Sequence, residues 1–465
     1  MEKKPNFLFL FSDQHRGDWM PYPADVKEEM GVEKLELKLP NLRRMMERGT
    51  SFTCALSPAP ICAPARACLA SGLRYKNCRV YSNNVNYDPE LPTFYRQLKD
   101  CGYYVSGVGK FDLNKADLEW GDGYHPVLEK MGFCEGADSE GKMDTIRAAL
   151  KGQPGPYGQM LKKQGWLEEH VQDMIKRGGG TQETPLPDEL YADNWITSKC
   201  CSMISRLPKE QPWFMQVNFS GPHDPWDITK KMKTTMCGRK FPEAVECDFS
   251  EENQEVRKNY GAMIENIDQC IGQILNAVKS RGDLENTIIV YASDHGEMMG
   301  DHGQYGKAKP GQGSVHIPLV IDASSFGGVC GQMNRAPVEL QDLAATFLDY
   351  AGVQIAEPME SMSLRPVVSG KCQSVREYGI AELVNPNPKG IMHSFGVITD
   401  GRYKLTMRDG QKDELYILPE DPFEMNNVAA QYPEIVNRLK LAFGQRGEKI
   451  HPAMERYASS FQVRG

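Results

Sequence analysis

The chain has 465 residues, a net charge of −8 and no basic block. That balance disfavours nucleic acid and anionic membrane as partners, since both favour clustered Lys and Arg, but it leaves a small anionic substrate open. Hydrophobic and charged fractions are those of a globular protein with a large core, and no run of about 18 apolar residues suggests a membrane span.

Met1 to Ser12 is basic and then apolar. Phe7 to Phe11 is short for a secretory signal and no small-residue cleavage site follows. Asn6 to Ser12 is therefore expected to be a strand buried on both faces, ending at Asp13. Leu42 to Arg48 reads as a helix stopped by Gly49. Thr93 to Asp100 reads as a helix closed by Gly102, and Tyr103 to Val108 as a strand. Asn114 to Asp193 is rich in Gly, Pro and charge and reads as an insertion over the site. Trp213 to Phe219 is a strand leading into Ser220-Gly221-Pro222-His223. Asn253 to Ser280 is a long amphipathic helix, with Ile264, Ile267, Ile271, Ile274, Leu275 and Val278 at helical spacing. Thr287 to Ala292 and Ile317 to Ile321 are strands, and Glu339 to Tyr350 a helix. Phe395 to Thr399 and Tyr403 to Met407 form a hairpin turning at Asp400-Gly401. Glu414 to Leu418 adds a strand, and Pro433 to Phe443 a closing helix.

Alternating strands and helices predict an α/β fold, with a large, mostly parallel sheet flanked by helices. The expected division is a catalytic domain over 1–370, with 114–190 inserted near the substrate site, and a small α+β subdomain over 371–465. Sites in such sheets lie beyond the carboxyl ends of the strands. Asp13, Lys110, His223 and Asp294 each stand just past one. The thirteen cysteines are scattered and lack zinc-site spacing, which points to a reducing compartment and a cytoplasmic location.

In Ile61-Cys62-Ala63-Pro64-Ala65-Arg66, Pro64 suits the first turn of a helix. Residue 62 would then sit at a helix N-terminus, where backbone N–H groups favour an anion, and Arg66 can return to the same end. Taken alone, the segment is equally a buried structural cysteine beside a surface arginine.

Further matches decide between these. Cys62 through Arg66, followed by Leu69 and Ser71-Gly72, resembles the signature of the sulfatase family. Pro5 to Gln14 is similar to the family's first strand, and Asn41 to Phe52 to the helix before the signature. Val108-Gly109-Lys110, Gly221-Pro222-His223, Ser293 to Glu297, Asp301-His302-Gly303 and Lys307 resemble its site segments. Glu414 to Tyr416 and Asp421-Pro422 through Asn426-Asn427 resemble its C-terminal module. The matches keep the family's order, with only 114–190 unmatched.

The resemblance implies an alkaline phosphatase-like fold and a sulfuric ester hydrolase in which Cys62 is oxidised to formylglycine. It implies a divalent metal ion held by Asp13, Asp294 and residue 62, with Gln14 and His295 completing the set. Calcium suits such oxygen ligands, with magnesium as an alternative; the imidazole of His295 also admits manganese. Arg66 is implied as a cation beside the nucleophile, Lys110 and Lys307 as sulfate ligands, and His223 as proton donor to the leaving oxygen. Asn83 resembles a substrate-contacting position. The family commonly has Gly-Lys-Trp-His where this chain has Gly109-Lys110-Phe111-Asp112. Either Asp112 faces elsewhere and Lys115 or His125 compensates, or the substrate is not a typical aryl sulfate. His15, His302 and His316 receive no role. Expected partners are a small anionic sulfate ester, a sulfated sugar among the candidates, and transiently a formylglycine-generating enzyme. Alternatives are a phosphonate monoester or phosphodiester hydrolase on the same scaffold and a non-catalytic binder of sulfated glycans. A phosphoglycerate-mutase-like relative would carry Ser or Thr at residue 62.

Overall fold

The computed structural model describes residues 4–117, 120–123, 126–247, 251–384, 394–408 and 410–447. The main sheet has nine strands among the described residues: β1 (Asn6–Asp13), β2 (Thr50–Phe52), β3 (Tyr104–Gly109), β4 (Gly121–Gly123), β5 (Glu135–Asp138), β6 (Trp213–Pro222), β7 (Thr287–Ser293), β8 (Leu319–Asp322) and β9 (Gln332–Asn334). Their order is β9-β2-β8-β7-β1-β6-β3-β5-β4. From β7 to β5 neighbouring strands are parallel, while β8 and β4 run antiparallel to their neighbours.

The parallel centre follows from the sequence of β1. Phe7, Phe9 and Phe11 enter one hydrophobic cluster, with the helices Cys62–Ser71, Phe94–Asp100 and Asp342–Tyr350. Leu8 and Leu10 enter the other, with Pro40–Arg48, Ala192–Arg206 and Glu251–Arg281. All five are fully buried, and each such side chain stabilises the fold by about 1.5–3 kcal/mol. A strand covered on both faces needs no polar alternation, which is why its apolar run is continuous.

Two expected elements differ. The strand expected over Ile317 to Ile321 is split at Pro318, which has no N–H for a ladder. His316–Ile317 pairs instead with Ala55–Leu56, and β8 starts at Leu319. The helix expected from Glu339 starts at Asp342, whose carboxylate accepts the Glu339 N–H at 2.9 Å while Val338–Glu339 remains extended. The expected insertion carries β4 and β5, which lengthen the main sheet at one edge, and the helices Lys142–Leu150, Pro156–Lys163 and Leu167–Arg177. The C-terminal sheet is antiparallel in chain order: β10 (Gly379–Leu383), β11 (Phe395–Thr399), β12 (Tyr403–Arg408) and β13 (Glu414–Ile417). Helix Pro433–Gly447 packs on it. Among the described residues, no helix is long and apolar enough to cross a membrane.

Candidate active site

The site forms where β1, β3, β6 and β7 end together. Each strand delivers its residue by leaving the sheet abruptly. Gly109 closes β3 with φ of 99°, and a Cβ there would lie 1.9 Å from the Asn218 carbonyl. Only glycine fits so close to β6, and Lys110 follows it. Gln14 leaves β1 with φ of 73°, an uncommon conformation for a non-glycine residue.

Cys62 opens the helix Cys62–Ser71 and is fully buried. Its Sγ lies 3.3 Å from His295 Nε2, 3.7 Å from Lys110 Nζ and 3.9 Å from Asp13 Oδ1. Ligand atoms of Asp13, Cys62, Asp294 and His295 all fall within 4.8 Å of one another. Two carboxylates, an imidazole and a deprotonatable sulfur form a donor set that fits a divalent cation. Arg66 Nε donates to Asp294 Oδ2 at 2.9 Å, and its guanidinium stacks 4.8 Å over the Phe11 ring. Lys110 Nζ donates to Asp13 Oδ2. Gln14 lies next to this group: its Oε1 accepts Lys307 Nζ at 2.8 Å, and its Nε2 donates to Asp224 at 3.1 Å and to Glu297. Lys307 Nζ also meets His223 Nε2.

The charges act on one another. Burial and Asp13 push the Cys62 thiol up, but Lys110, Lys307 and His295 outweigh them and hold it well below an ordinary thiol. Burial raises the Asp13 carboxyl, and Lys110, His223, Lys307 and Arg66 overcome that and keep it well below the usual carboxylate range. Burial opposes the Lys110 charge, while Asp112, Asp13 and Cys62 raise it well above an ordinary lysine.

Asp112 does not face elsewhere, contrary to the first expectation. It is buried, 3.3 Å from Lys110 Nζ and 2.9 Å from Lys115 Nζ. Lys115, expected to touch substrate, also pairs with Asp144 at 3.0 Å. Asn83 accepts the Ala63 N–H at 3.0 Å and so braces the helix start. His125 lies outside the described residues. His15 is buried between Tyr291 and Trp19, and burial depresses it to about 4. His302 and His316 also lie outside the group of donor atoms. Sequence reasoning missed Asp224, Glu297 and Asp144. Asp224 directly follows the quoted Gly221-Pro222-His223 and Glu297 closes the quoted Ser293 to Glu297, and proximity to those segments was the available signal.

The sulfatase family model matches residues 5–353. The chain belongs to the sulfatase family. A second model, N-sulphoglucosamine sulphohydrolase, C-terminal, matches residues 300–448, a span from the Lys307 loop through the C-terminal sheet. The chain is 26% identical to an arylsulfatase of Clostridium perfringens, over 94% of this chain and 93% of that one. It is 26% identical to a choline-sulfatase of Rhizobium meliloti, over 98% and 88%. Its fold is similar to that of a phosphonate monoester hydrolase of Agrobacterium radiobacter, with a TM-score of 0.77 and 23% identity over 95% of both chains. Sulfatases are hydrolases, and in this member the Cys62 signature and the two acidic strand ends meet at one point.

Proposed function

We propose that this sulfatase hydrolyses a sulfate monoester, with residue 62 as nucleophile after oxidation to formylglycine. The observation that carries the reading is the convergence on Cys62 of Asp13, Asp294 and His295 together with Lys110. A hydrated formylglycine supplies two geminal hydroxyls, one to attack sulfur and one to expel sulfate. A divalent ion, calcium in this reading, would supply a Lewis acid that polarises and orients the ester. Asp13, Asp294, His295 and residue 62 would hold it.

The remaining work belongs to the chain's own side chains. Lys110 and Lys307 hold non-bridging sulfate oxygens from two sides and neutralise charge as it develops. Arg66 fixes Asp294 and adds a cation beside residue 62. His223, 17% exposed at the mouth, donates the proton to the leaving oxygen. Lys307 at its Nε2 and Asp224 Oδ1, 3.3 Å from Nδ1, hold the ring in place. A bare thiol would form a thiosulfate ester with no second hydroxyl to release sulfate, so the thiol and the aldehyde are not equivalent.

The test is mass spectrometry of the peptide from Ile61 to Arg66, paired with hydrolysis of 4-nitrophenyl sulfate. Activity should rise in proportion to the aldehyde fraction, Cys62→Ala should be inactive, and excess chelator should abolish turnover. A fully thiol preparation as fast as a converted one would falsify the mechanism. Faster turnover of a phenylphosphonate monoester than of the sulfate, measured side by side, would reassign the substrate class on the same scaffold.

A further inference from the structure

Lys307 lies in a segment with little regular structure. Asp301–Gly303 is a single 3-10 turn, and the next element is the short helix Gln312–Val315. Such segments open easily unless tied down, whereas a catalytic side chain must keep its place to within about 0.5 Å. Beside Lys307, Gly306 accepts the Met298 N–H at 3.1 Å and donates to Glu297, and further ties come from two sides. The Ala308 N–H donates to the Pro60 carbonyl at 2.8 Å, two residues before Cys62. From the other side the C-terminal sheet reaches in. Lys404, in β12, donates to the Pro310 carbonyl at 2.7 Å, and Glu424 accepts the Gln312 N–H at 2.6 Å.

Lys404 and Glu424 also pair with each other at 2.6 Å, with side chains 0% and 7% exposed. A buried ion pair is poor value as a stabiliser, because well-packed apolar residues of similar volume usually serve as well or better. Glu424 also holds φ of 61°, in the left-handed region that residues with a Cβ rarely adopt. Both features make sense if the pair is kept for what it grips. We propose that Lys404 and Glu424 are positioning residues that fix the 307–312 segment from the C-terminal sheet, so that Lys307 keeps its place beside Gln14 and His223. This rests on the reading of Lys307 as a sulfate-holding cation. The C-terminal sheet is then a working part of the active site.

One substitution isolates the tie. Gln312 is the first residue of its helix, where proline is favoured. Gly311 before it has φ of −61° and ψ of 150°, which a following proline permits. Gln312→Pro therefore deletes the N–H that Glu424 Oε2 accepts and pushes that oxygen aside with its Cδ, while the ion pair to Lys404 is made by the other oxygen, Oε1. A second variant, Lys404→Met with Glu424→Leu, replaces the pair by apolar side chains. The readouts are Ki of inorganic sulfate against 4-nitrophenyl sulfate hydrolysis, KM and kcat, Tm, and hydrogen exchange of the 304–312 peptide. Both variants should keep Tm within a few degrees, raise Ki and KM roughly tenfold, lower kcat less, and speed exchange of that peptide. Glu424→Gln keeps an acceptor oxygen for the Gln312 N–H, so Ki and peptide exchange should stay near wild type even as the unpaired Lys404 charge lowers Tm. Unchanged Ki and unchanged exchange in folded Gln312→Pro overturn the proposal, and that variant alone decides if the double one does not fold. Lys307→Ala separates the two readings. If it leaves Ki unchanged, the role of Lys307 is wrong; if it raises Ki while Gln312→Pro does not, the tie is wrong. If the wild type does not hydrolyse the sulfate ester, the sulfatase reading fails, and peptide exchange still reports on the tie.

Discussion

Asp112 stands between two lysines, Lys110 and Lys115, with almost no access to solvent. Asp112→Ala takes one carboxylate from each lysine, while Lys110 keeps Asp13 and Lys115 keeps Asp144, so it should destabilise the protein by about 1–3 kcal/mol. Added inorganic sulfate should recover part of that loss, because an anion bound between Lys110 and Lys115 replaces the missing charge. Urea unfolding with and without sulfate reads this directly; a loss that sulfate does not touch would mark Asp112 as a packing residue only. His223 makes a different residue-scale prediction. A general acid contributes roughly 10²–10⁴-fold, and a good leaving group needs little protonation. His223→Ala should therefore slow alkyl sulfates far more than 4-nitrophenyl sulfate. Equal losses on both would assign the residue to binding.

At the scale of elements, the turn that carries His223 is held from the helix Ala192–Arg206. Asp193, in its first turn, accepts the Ser220 and Gly221 N–H groups at 2.7 and 3.1 Å through one oxygen. Its other oxygen is buried and has no hydrogen-bond partner among the described residues. Burial pushes this carboxyl up to about 6, against the pull of Lys142 and the two N–H groups. A raised value favours the protonated form in the folded state. The contribution is complete below about pH 4 and is lost as pH rises through 6, roughly 3 kcal/mol in all. Asp193→Asn should flatten the pH dependence of the urea midpoint between pH 4 and 6.5; an unaltered slope would show that Asp193 does not titrate there.

The same scale shows what the sequence made legible. β1 and β7 could be read because continuous apolar runs end at Asp13 and Asp294, and the signature around Cys62 is short and local. β4 and β5 could not, because Gly-Asp-Gly and Glu-Gly-Ala-Asp at a sheet edge carry no apolar pattern. The orientation of Gln14 was hidden because it depends on Asp224, Glu297 and Lys307, which come from other segments. The Lys404–Glu424 pair was hidden for the same reason, since its partners Pro310 and Gln312 lie about a hundred residues away.

Across the whole molecule, the C-terminal sheet shares the main core. Leu383, Phe395 and Val397 belong to the same cluster as Phe7 and Phe11. Buried Glu339 is paired with Arg376 at 2.7 Å and Arg446 at 2.8 Å. A chain ending at residue 370 loses all of these and leaves a buried carboxylate without either arginine. It should bind a hydrophobic dye and show no cooperative thermal transition; a sharp transition would show that the first 370 residues fold alone.

The burial of Cys62 bears on timing. A side chain with no exposed surface, sealed under two acidic strand ends and two lysines, offers an oxidising enzyme nothing to grip. On the proposed mechanism, conversion must come before the helix Cys62–Ser71 docks, while the ribosome or an unfolded chain still presents Cys62, Pro64 and Arg66 in the open. Each molecule then has one interval in which to become active, and a chain that folds first is stable and permanently inert. The active fraction of a preparation is set by a race between folding and modification, and adding the modifying enzyme to folded thiol protein should not raise it.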